Sequence, residues 1–310
     1  MEDFDLLYLL KTPFYLGNAS KAMKEAEELD IDESDTKNDE LKQFFLVRIL
    51  ADLGDLPKLK ALMTKIYEKH SSMVAQTGWL VQYLVNGNLD DGVGEEIQKA
   101  IQSPSTYPIT QLTVLVYLTY LTQDFDSLFH LTNSTKNLEL LSVKFCGFLQ
   151  IFRYDLAKET LNKMKQVGED NCLTSLWEVI LGFVAKDVID KPKDKLVELA
   201  DMNEYTLKIY TLLALTMMRQ SKFDNAMKIF NKAIDSINIF DDKEQYQKHV
   251  VKGNEDMAAF WVNYIKWNNI LYNSSAENNE KLQKVLKIVS PNHPFWEEQN
   301  EAFSMFDEAI

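Results

Sequence analysis

The chain has 310 residues, with 47 Asp and Glu against 33 Lys and Arg, which gives a formal net charge of -14. Such an acidic surface repels phosphate backbones and anionic headgroups, so direct binding to nucleic acid or lipid is disfavoured. Only 10 Gly and 7 Pro occur, too few for the turns of a β-sandwich or barrel. This scarcity, with plentiful Leu, Lys, Glu and Ala, favours an all-α protein, and 46% hydrophobic residues are enough for a continuous core.

In the first third of the chain, apolar residues recur at helical spacing in three pairs of short segments. Pro13 is expected to end the first helix, and Gly17-Asn18 and Gly54 are expected to form turns. Residues 30–40 are acidic and have no apolar periodicity, which predicts a flexible linker. The six helices are predicted at residues 4–10, 19–29, 41–52, 56–70, 74–85 and 94–102.

Five further pairs and a final helix are predicted in the rest of the chain. The pairs cover residues 108–121 with 125–131, 138–151 with 156–167, 173–185 with 194–201, the unit 210–237, and 257–272 with 280–289. The last helix, residues 294–309, follows Pro291 and is predicted to cap the stack.

The segment 210–233 carries the clearest repeat signal. Its small and large apolar residues alternate as in the tetratricopeptide (TPR) pattern, with Ala214 and Ala226 as the expected helix contacts. Residues 154, 157 and 161 repeat the pattern of residues 223, 226 and 230 at an offset of 69, close to two repeats of about 34 residues. The sequence therefore predicts one right-handed superhelical α-solenoid of TPR-like hairpins over residues 1–310, with a C-terminal capping helix.

No catalytic, cofactor-binding or metal-binding motif is found, so the chain is predicted not to be an enzyme. His70, His130, His249 and His293 lie on separate segments without metal-ligand spacing, and Cys146 and Cys172 are interpreted as core thiols. The N-terminus has no secretory signal, and the most apolar run, residues 109–121, is shorter than the roughly 20 residues that span a bilayer. A cytosolic protein is expected.

Three stretches of the chain match the pattern of one family in order and spacing. They are Phe14–Gly17 with Glu25-Ala26, then Asp155–Met164 with Glu169-Asp170 and Leu173-Thr174, and finally His293–Phe295 with Glu298 and Phe306-Asp307. Together they resemble the epsilon subunit of coatomer in the COPI vesicle coat. The chain departs from the family pattern in the acidic stretch 30–40 and at Phe303, where an acidic residue is expected.

The resemblance implies a non-catalytic coat component whose solenoid clasps the C-terminal domain of the alpha coat subunit, on Golgi membranes and vesicles. Stacked hairpins suit this role because they present an extended concave surface. Apolar anchors on inward helices would bind the partner, with acidic rims guiding a basic surface. The groove is expected to include Leu112, Leu141, Phe145, Leu173, Trp177, Tyr210 and Leu213.

Three other classes are compatible with an acidic helical-repeat chain. An adaptor of the SNARE-disassembly (SNAP) type would be distinguished by co-purification with SNARE bundles rather than with a coat subunit. A TPR co-chaperone is less favoured, since few Lys and Arg lie on the predicted inner faces. A helical-barrel enzyme would be distinguished by a deep pocket with convergent polar groups.

Overall fold

The computed structural model describes residues 5–32, 34–70, 74–86, 89, 92–184 and 192–237, and short pieces at 259–260, 262–264, 283–284, 286–287, 290 and 294–297. The regular elements in these residues are helices, as the sequence predicts. They are α1 (Tyr8–Tyr15), α2 (Ala19–Glu28), α3 (Thr36–Asp52), α4 (Leu56–Lys69), α5 (Val74–Asn86), α6 (Gly92–Gln102), a 3-10 turn (Pro104–Thr106), α7 (Ile109–Leu121), α8 (Phe125–Leu131), α9 (Leu138–Gln150), α10 (Tyr154–Gly168), α11 (Cys172–Val184), α12 (Pro192–Asn203), α13 (Leu207–Arg219) and α14 (Phe223–Ile237).

The chain divides into two compact units. The first comprises Met1–Ala51 and Asp55–Asn203, and the second comprises Asp52–Gly54 and Glu204–Ile310. That the two units form one continuous solenoid stays a prediction.

The first unit contains a row of helices built from successive hairpins. Helices α5, α7, α9 and α11 pack side by side, while α8, α10 and α12 pack against members of this row. This is the arrangement of TPR-like repeats, in which each hairpin packs on its neighbours. One contact departs from it, because α1 packs against α11, far along the chain.

Helix α1 differs from its prediction, since Pro13 lies inside it rather than ending it. Proline removes one intrahelical hydrogen bond. In this short helix the loss occurs near the C-terminal end, where the carbonyl of Pro13 accepts a bond of 2.8 Å from the amide of Asn18. The buried ring of Pro13 also adds to the apolar face of the helix.

The acidic linker is shorter than predicted. Helix α3 begins at Thr36, so residues 36–40 are helical, although they carry no apolar periodicity. The reason is local capping, because the carboxylate of Asp35 accepts a 3.2 Å hydrogen bond from the amide of Asn38. In addition, the Asp39 carboxylate lies 3.1 Å from Lys69 Nζ and 3.1 Å from His70 Nε2.

Five hairpin turns share one backbone conformation. In each, a residue with positive φ follows the first helix, and the next amide donates to the carbonyl five residues earlier at 2.8–3.0 Å. This is the Schellman ending of a helix, which favours glycine. The residues with positive φ are Gly17 (85°), Gly54 (67°), Gln123 (59°), Phe152 (58°) and Ser221 (58°).

The second unit is centred on α13 and α14, which pack on each other. Ala214 and Ala226, the predicted helix contacts, are fully buried in its core, together with Phe230 and Ala233. Phe260 joins this core, with its ring 5.6 Å from that of Phe230. Of the predicted capping helix, residues 295–297 are helical, and residues 298–309 lie outside the described residues.

Candidate partner-binding surface

The predicted groove residues lie on α7, α9, α11 and α13. Within the first unit, Leu112, Leu141, Phe145 and Leu173 are buried, with at most 8% of their surface exposed. Trp177, also on α11, is half-buried. The pattern thus identified the central helices correctly as apolar. Whether these residues contact a partner stays a prediction.

Helices α7, α9 and α11 are buried on nearly every side because the start of the chain covers them. Tyr15, at the end of α1, packs on the cluster formed by Leu141, Met164 and Leu173. Leu16 is fully buried against Cys172 and Leu199. An open solenoid would expose these inner positions to a ligand, whereas here the chain's own N-terminal segment occupies them.

A buried ion pair fixes this N-terminal segment. Arg48, on α3, forms an ion pair through Nη1 with Oε1 of Glu139 on α9, and only 11% and 10% of the two side chains are exposed. The other guanidinium nitrogen donates a 2.6 Å hydrogen bond to the hydroxyl oxygen of Tyr117 on α7. One arginine therefore links α3 to two helices of the central row.

Aromatic rings surround the Arg48 guanidinium. Its central carbon lies 4.7 Å from the ring centre of Phe14, 4.5 Å from Tyr117, and 5.1 Å from both Phe44 and Phe45. Ring faces are negative, so they stabilise a cation that has lost most of its water. We call Arg48, Glu139, Tyr117 and the three phenylalanine rings the Arg48 cluster.

This environment determines the protonation states of Arg48 and of the two tyrosines near it, Tyr117 and Tyr15. Burial opposes the charged guanidinium, but the Glu139 carboxylate together with the Tyr117 and Tyr15 hydroxyls outweighs it and raises the pKa of Arg48 above its usual value. Burial also raises the pKa of the Tyr117 hydroxyl, and that of Tyr15 well above its usual value, with Glu139 adding to both shifts. Arg48 is therefore a permanent cation, and the hydroxyls of Tyr117 and Tyr15 near it are neutral.

Trp177 combines apolar contacts with an unsatisfied polar atom. Its ring lies 5.3 Å from that of Phe145 and also packs beside Leu141 and Leu173. Within the described part of the chain, its buried Nε1 has no hydrogen-bond acceptor. A buried N–H without an acceptor is unfavourable by about 1–3 kcal/mol, so a rotation of the ring that brings Nε1–H to an acceptor on a partner would be favourable here.

Glu178 forms a second buried charge cluster on α11. Its Oε1 lies 2.5 Å from Lys165 Nζ on α10, and its Oε2 pairs with Lys195 on α12. Burial acts to raise the pKa of Glu178, but hydrogen bonds from the two lysines outweigh it and lower that pKa. This cluster joins three consecutive helices.

The remaining groove residues, Tyr210 and Leu213, belong to the second unit, and 5% of each is exposed. The Tyr210 ring stacks on Tyr205, with centroids 5.3 Å apart, and Lys232 Nζ lies 5.2 Å from the Tyr205 ring centre. Burial, together with Tyr205, raises the pKa of the Tyr210 hydroxyl. Both residues therefore lie in the core of this unit.

The sequence interpretation missed Tyr15, Arg48, Tyr117 and Glu139. A signal was present for Arg48, which is the only charge between Phe44 and Ala51, a segment otherwise made of apolar residues. A lone charge within such a segment points to a buried partner, since an unpaired buried charge is strongly unfavourable. Its partner could not be deduced, because Glu139 lies 91 residues away in sequence.

Among the described residues, no helix is both long and apolar enough to cross a membrane. Comparison with known protein families gives a match that covers almost the entire chain. The family model described as the coatomer epsilon subunit matches residues 3–310.

Proposed function

Because the chain belongs to the coatomer epsilon-subunit family, and is thus a subunit of the COPI coat, we propose that it binds and stabilises the C-terminal domain of the alpha coat subunit. In this role it is a non-catalytic structural component. It acts in the cytoplasm, peripherally on Golgi membranes and on vesicles that move within the Golgi and back to the endoplasmic reticulum. The observation that carries the proposal is the family match over residues 3–310.

Two properties of the molecule support a role in holding a partner. The repeated hairpins of the first unit are cross-braced by the Arg48 cluster and by Glu178, which makes a rigid support. The net charge of -14 would also favour approach to a basic protein surface. Among the predicted groove residues of the first unit, Trp177 keeps accessible surface and lacks an acceptor for Nε1–H, so it is our first choice for a contact.

Affinity capture of the tagged full-length chain from cytosol tests the proposal. We expect the coat subunits to be recovered, with the alpha subunit in a one-to-one ratio to the bait. Recovery of SNARE proteins instead would support a SNAP-type adaptor, and recovery of the chain alone would contradict both functions. Titration with the purified C-terminal domain of the alpha subunit then tests direct binding.

Trp177→Phe tests the proposed contact. It removes Nε1–H but keeps a ring beside Phe145. We expect affinity for the alpha C-terminal domain to fall about two- to tenfold, the value of one neutral hydrogen bond. The matched control is Trp79→Phe, which changes another half-buried tryptophan, on α5. Equal affinity for the two variants would mean that Trp177 Nε1 does not contact the partner.

A further inference from the structure

The turn between α9 and α10 departs from the other turns of the same conformation. Its residue with positive φ is Phe152, at 58°, whereas the other four turns have smaller residues at the equivalent position, Gly17, Gly54, Gln123 and Ser221. A bulky side chain is rare and strained in this region, since Cβ approaches the neighbouring carbonyl. Folding alone would therefore favour glycine or asparagine here.

The next position in this turn also departs from the pattern. Asn18, Asp55 and Asp124 each accept a hydrogen bond from the amide three residues later, at 3.0–3.2 Å, and so cap the second helix. Arg153 makes no such bond, and Lys222, at the equivalent position of the fifth turn, has no side-chain oxygen that could make one. Its guanidinium instead forms two hydrogen bonds with Asp155, of 2.9 and 2.6 Å.

Neither departure is compensated by burial. The Phe152 side chain is 76% exposed, and its neighbour Ile151 is 37% exposed. The Phe152 ring touches Tyr154 edge-on, with centroids 6.3 Å apart. An unfavourable backbone conformation or a missing helix cap that brings no gain in packing is expected mainly at functional positions. We therefore infer that Ile151 and Phe152 form a protein-binding tip that inserts into an apolar pocket of the partner coat subunit.

The surroundings of the tip indicate the kind of pocket. Gln150 Nε2 lies 3.5 Å from the hydroxyl oxygen of Tyr120. This contact joins the C-terminal ends of α9 and α7. The turns that follow these two helices therefore lie at the same edge of the first unit. The chain leaving these turns, residues 124–126 and 153–159, has more carboxylates than cations. The carboxylates are Asp124, Asp126, Asp155 and Glu159, and the cations are Arg153 and Lys158.

The excess of carboxylates around the tip indicates which kind of molecule would bind it. A second copy of the chain, with the same acidic edge and a net charge of -14, would be repelled, as would an anionic membrane. A pocket bordered by Lys and Arg on a protein partner would be attracted. The tip thus adds a contact to the binding proposed above, and it rests on that proposed function.

The test measures stability and binding on the same variants. Phe152→Gly relieves the backbone and removes the ring. We expect it to raise the melting temperature of the isolated chain by about 1–3 °C, and to weaken binding to the alpha C-terminal domain about tenfold or more, as loss of an aromatic anchor does. The matched control is Gln123→Gly, at the same turn position one hairpin earlier, which should raise the melting temperature but leave affinity unchanged.

The outcomes separate the two proposals. If the wild-type chain does not bind the alpha C-terminal domain, the proposed function is wrong. If the wild type binds and Phe152→Gly binds equally well, the tip is not a contact, although the function stands. Equal loss of affinity in both glycine variants would assign the effect to turn geometry and overturn the inference. Self-association that Phe152→Gly abolishes would make a second copy the occupant.

Discussion

Helices α9 and α13 each begin a hairpin, yet they differ in the charges they bury. Helix α9 buries Glu139 and Lys144, whereas α13 places Arg219 at its exposed C-terminal end. Glu139 is matched by Arg48 from α3, and Lys144 Nζ donates to the Thr132 carbonyl oxygen at 3.2 Å. Burial lowers the pKa of Lys144, with Lys163 adding to the effect.

This difference shows how a repeat protein can acquire contacts between distant segments. Successive hairpins need only apolar surfaces to pack on each other, as α13 and α14 do through Ala214 and Ala226. A charge buried in a hairpin needs a polar partner. The adjacent hairpins supply it for Lys144 and Glu178 but not for Glu139, whose partner Arg48 comes from α3. A buried charge that the neighbouring helices leave unmatched therefore marks a place where a distant part of the chain packs.

Removal of Arg48 is expected to change the unfolding free energy more than any other substitution proposed below. Arg48→Ala leaves Glu139 buried without its partner, and we expect unfolding free energy to fall by about 3–5 kcal/mol. The control Arg219→Ala, on α13, should change it by about 0.5 kcal/mol or less. Urea denaturation measures both. The double variant Arg48→Met with Glu139→Leu should recover much of the loss, because no charge remains buried alone. A small effect of Arg48→Ala would contradict the role given to the cluster.

Replacing a buried alanine in α10 and in α14 by a larger residue tests whether the α9–α10 and α13–α14 hairpins pack in the same way. Ala157 on α10 and Ala226 on α14 are both fully buried. Substitution of either by Leu should lower unfolding free energy by about 1–3 kcal/mol, because a larger side chain forces helices apart. Thermal or urea unfolding of both variants is the measurement. A loss at only one site would show that the hairpins are not equivalent in their packing.

Glu178 differs from Glu139 in that its charge is matched by the neighbouring helices, α10 and α12. Glu178→Gln should lower unfolding free energy by about 1 kcal/mol at pH 7, a small value because the two lysines that pair with Glu178 are 34% and 30% exposed. Because folding lowers the pKa of Glu178, its contribution is present above the unfolded pKa of about 4.3 and is lost as pH falls through the folded pKa. Wild type and variant should converge near pH 3, as followed by urea unfolding at several pH values. The exposed control Glu198→Gln should leave the unfolding free energy at pH 7 within about 0.5 kcal/mol of the wild type.

The smallest effect is expected in the turns. Ser221→Gly, before α14, should raise unfolding free energy by about 0.5–1 kcal/mol, because glycine adopts positive φ without strain. The reverse change at the equivalent position, Gly54→Ser, should lower it by a similar amount. Thermal unfolding at matched protein concentration measures both. Effects of the same sign would show that turn strain does not distinguish these positions.

Sequence patterns predicted the helices well because hairpin packing is local. The bounds of α8 were predicted without error, and those of α4 within one residue. Pro13 and residues 36–40 were misassigned, because the bonds that decide them, at the Pro13 carbonyl and the Asp35 carboxylate, depend on the folded geometry.

The candidate surface was less predictable. Apolar character placed Leu141 and Leu173 on central helices, but no periodicity shows what covers them. That depends on Tyr15 and Leu16, which lie more than a hundred residues earlier in the sequence. The strain at Phe152 is likewise a backbone property. The pattern predicted a break after residue 151, but no residue of Ile151-Phe152-Arg153 indicates a positive φ, because none is Gly or Asn.

The link between Arg48 and Glu139 also has a consequence for how the first unit folds. Repeat arrays with contacts only between neighbours can form in pieces, one hairpin after another. Here a contact that spans 91 residues ties the earliest helices to the later ones. Contacts of such separation slow folding, since a long loop must close first. The N-terminal hairpin depends on a still later helix, because Tyr15 and Leu16 pack on Leu173 and Cys172 of α11. During synthesis, this apolar surface is therefore covered only after α11 has left the ribosome.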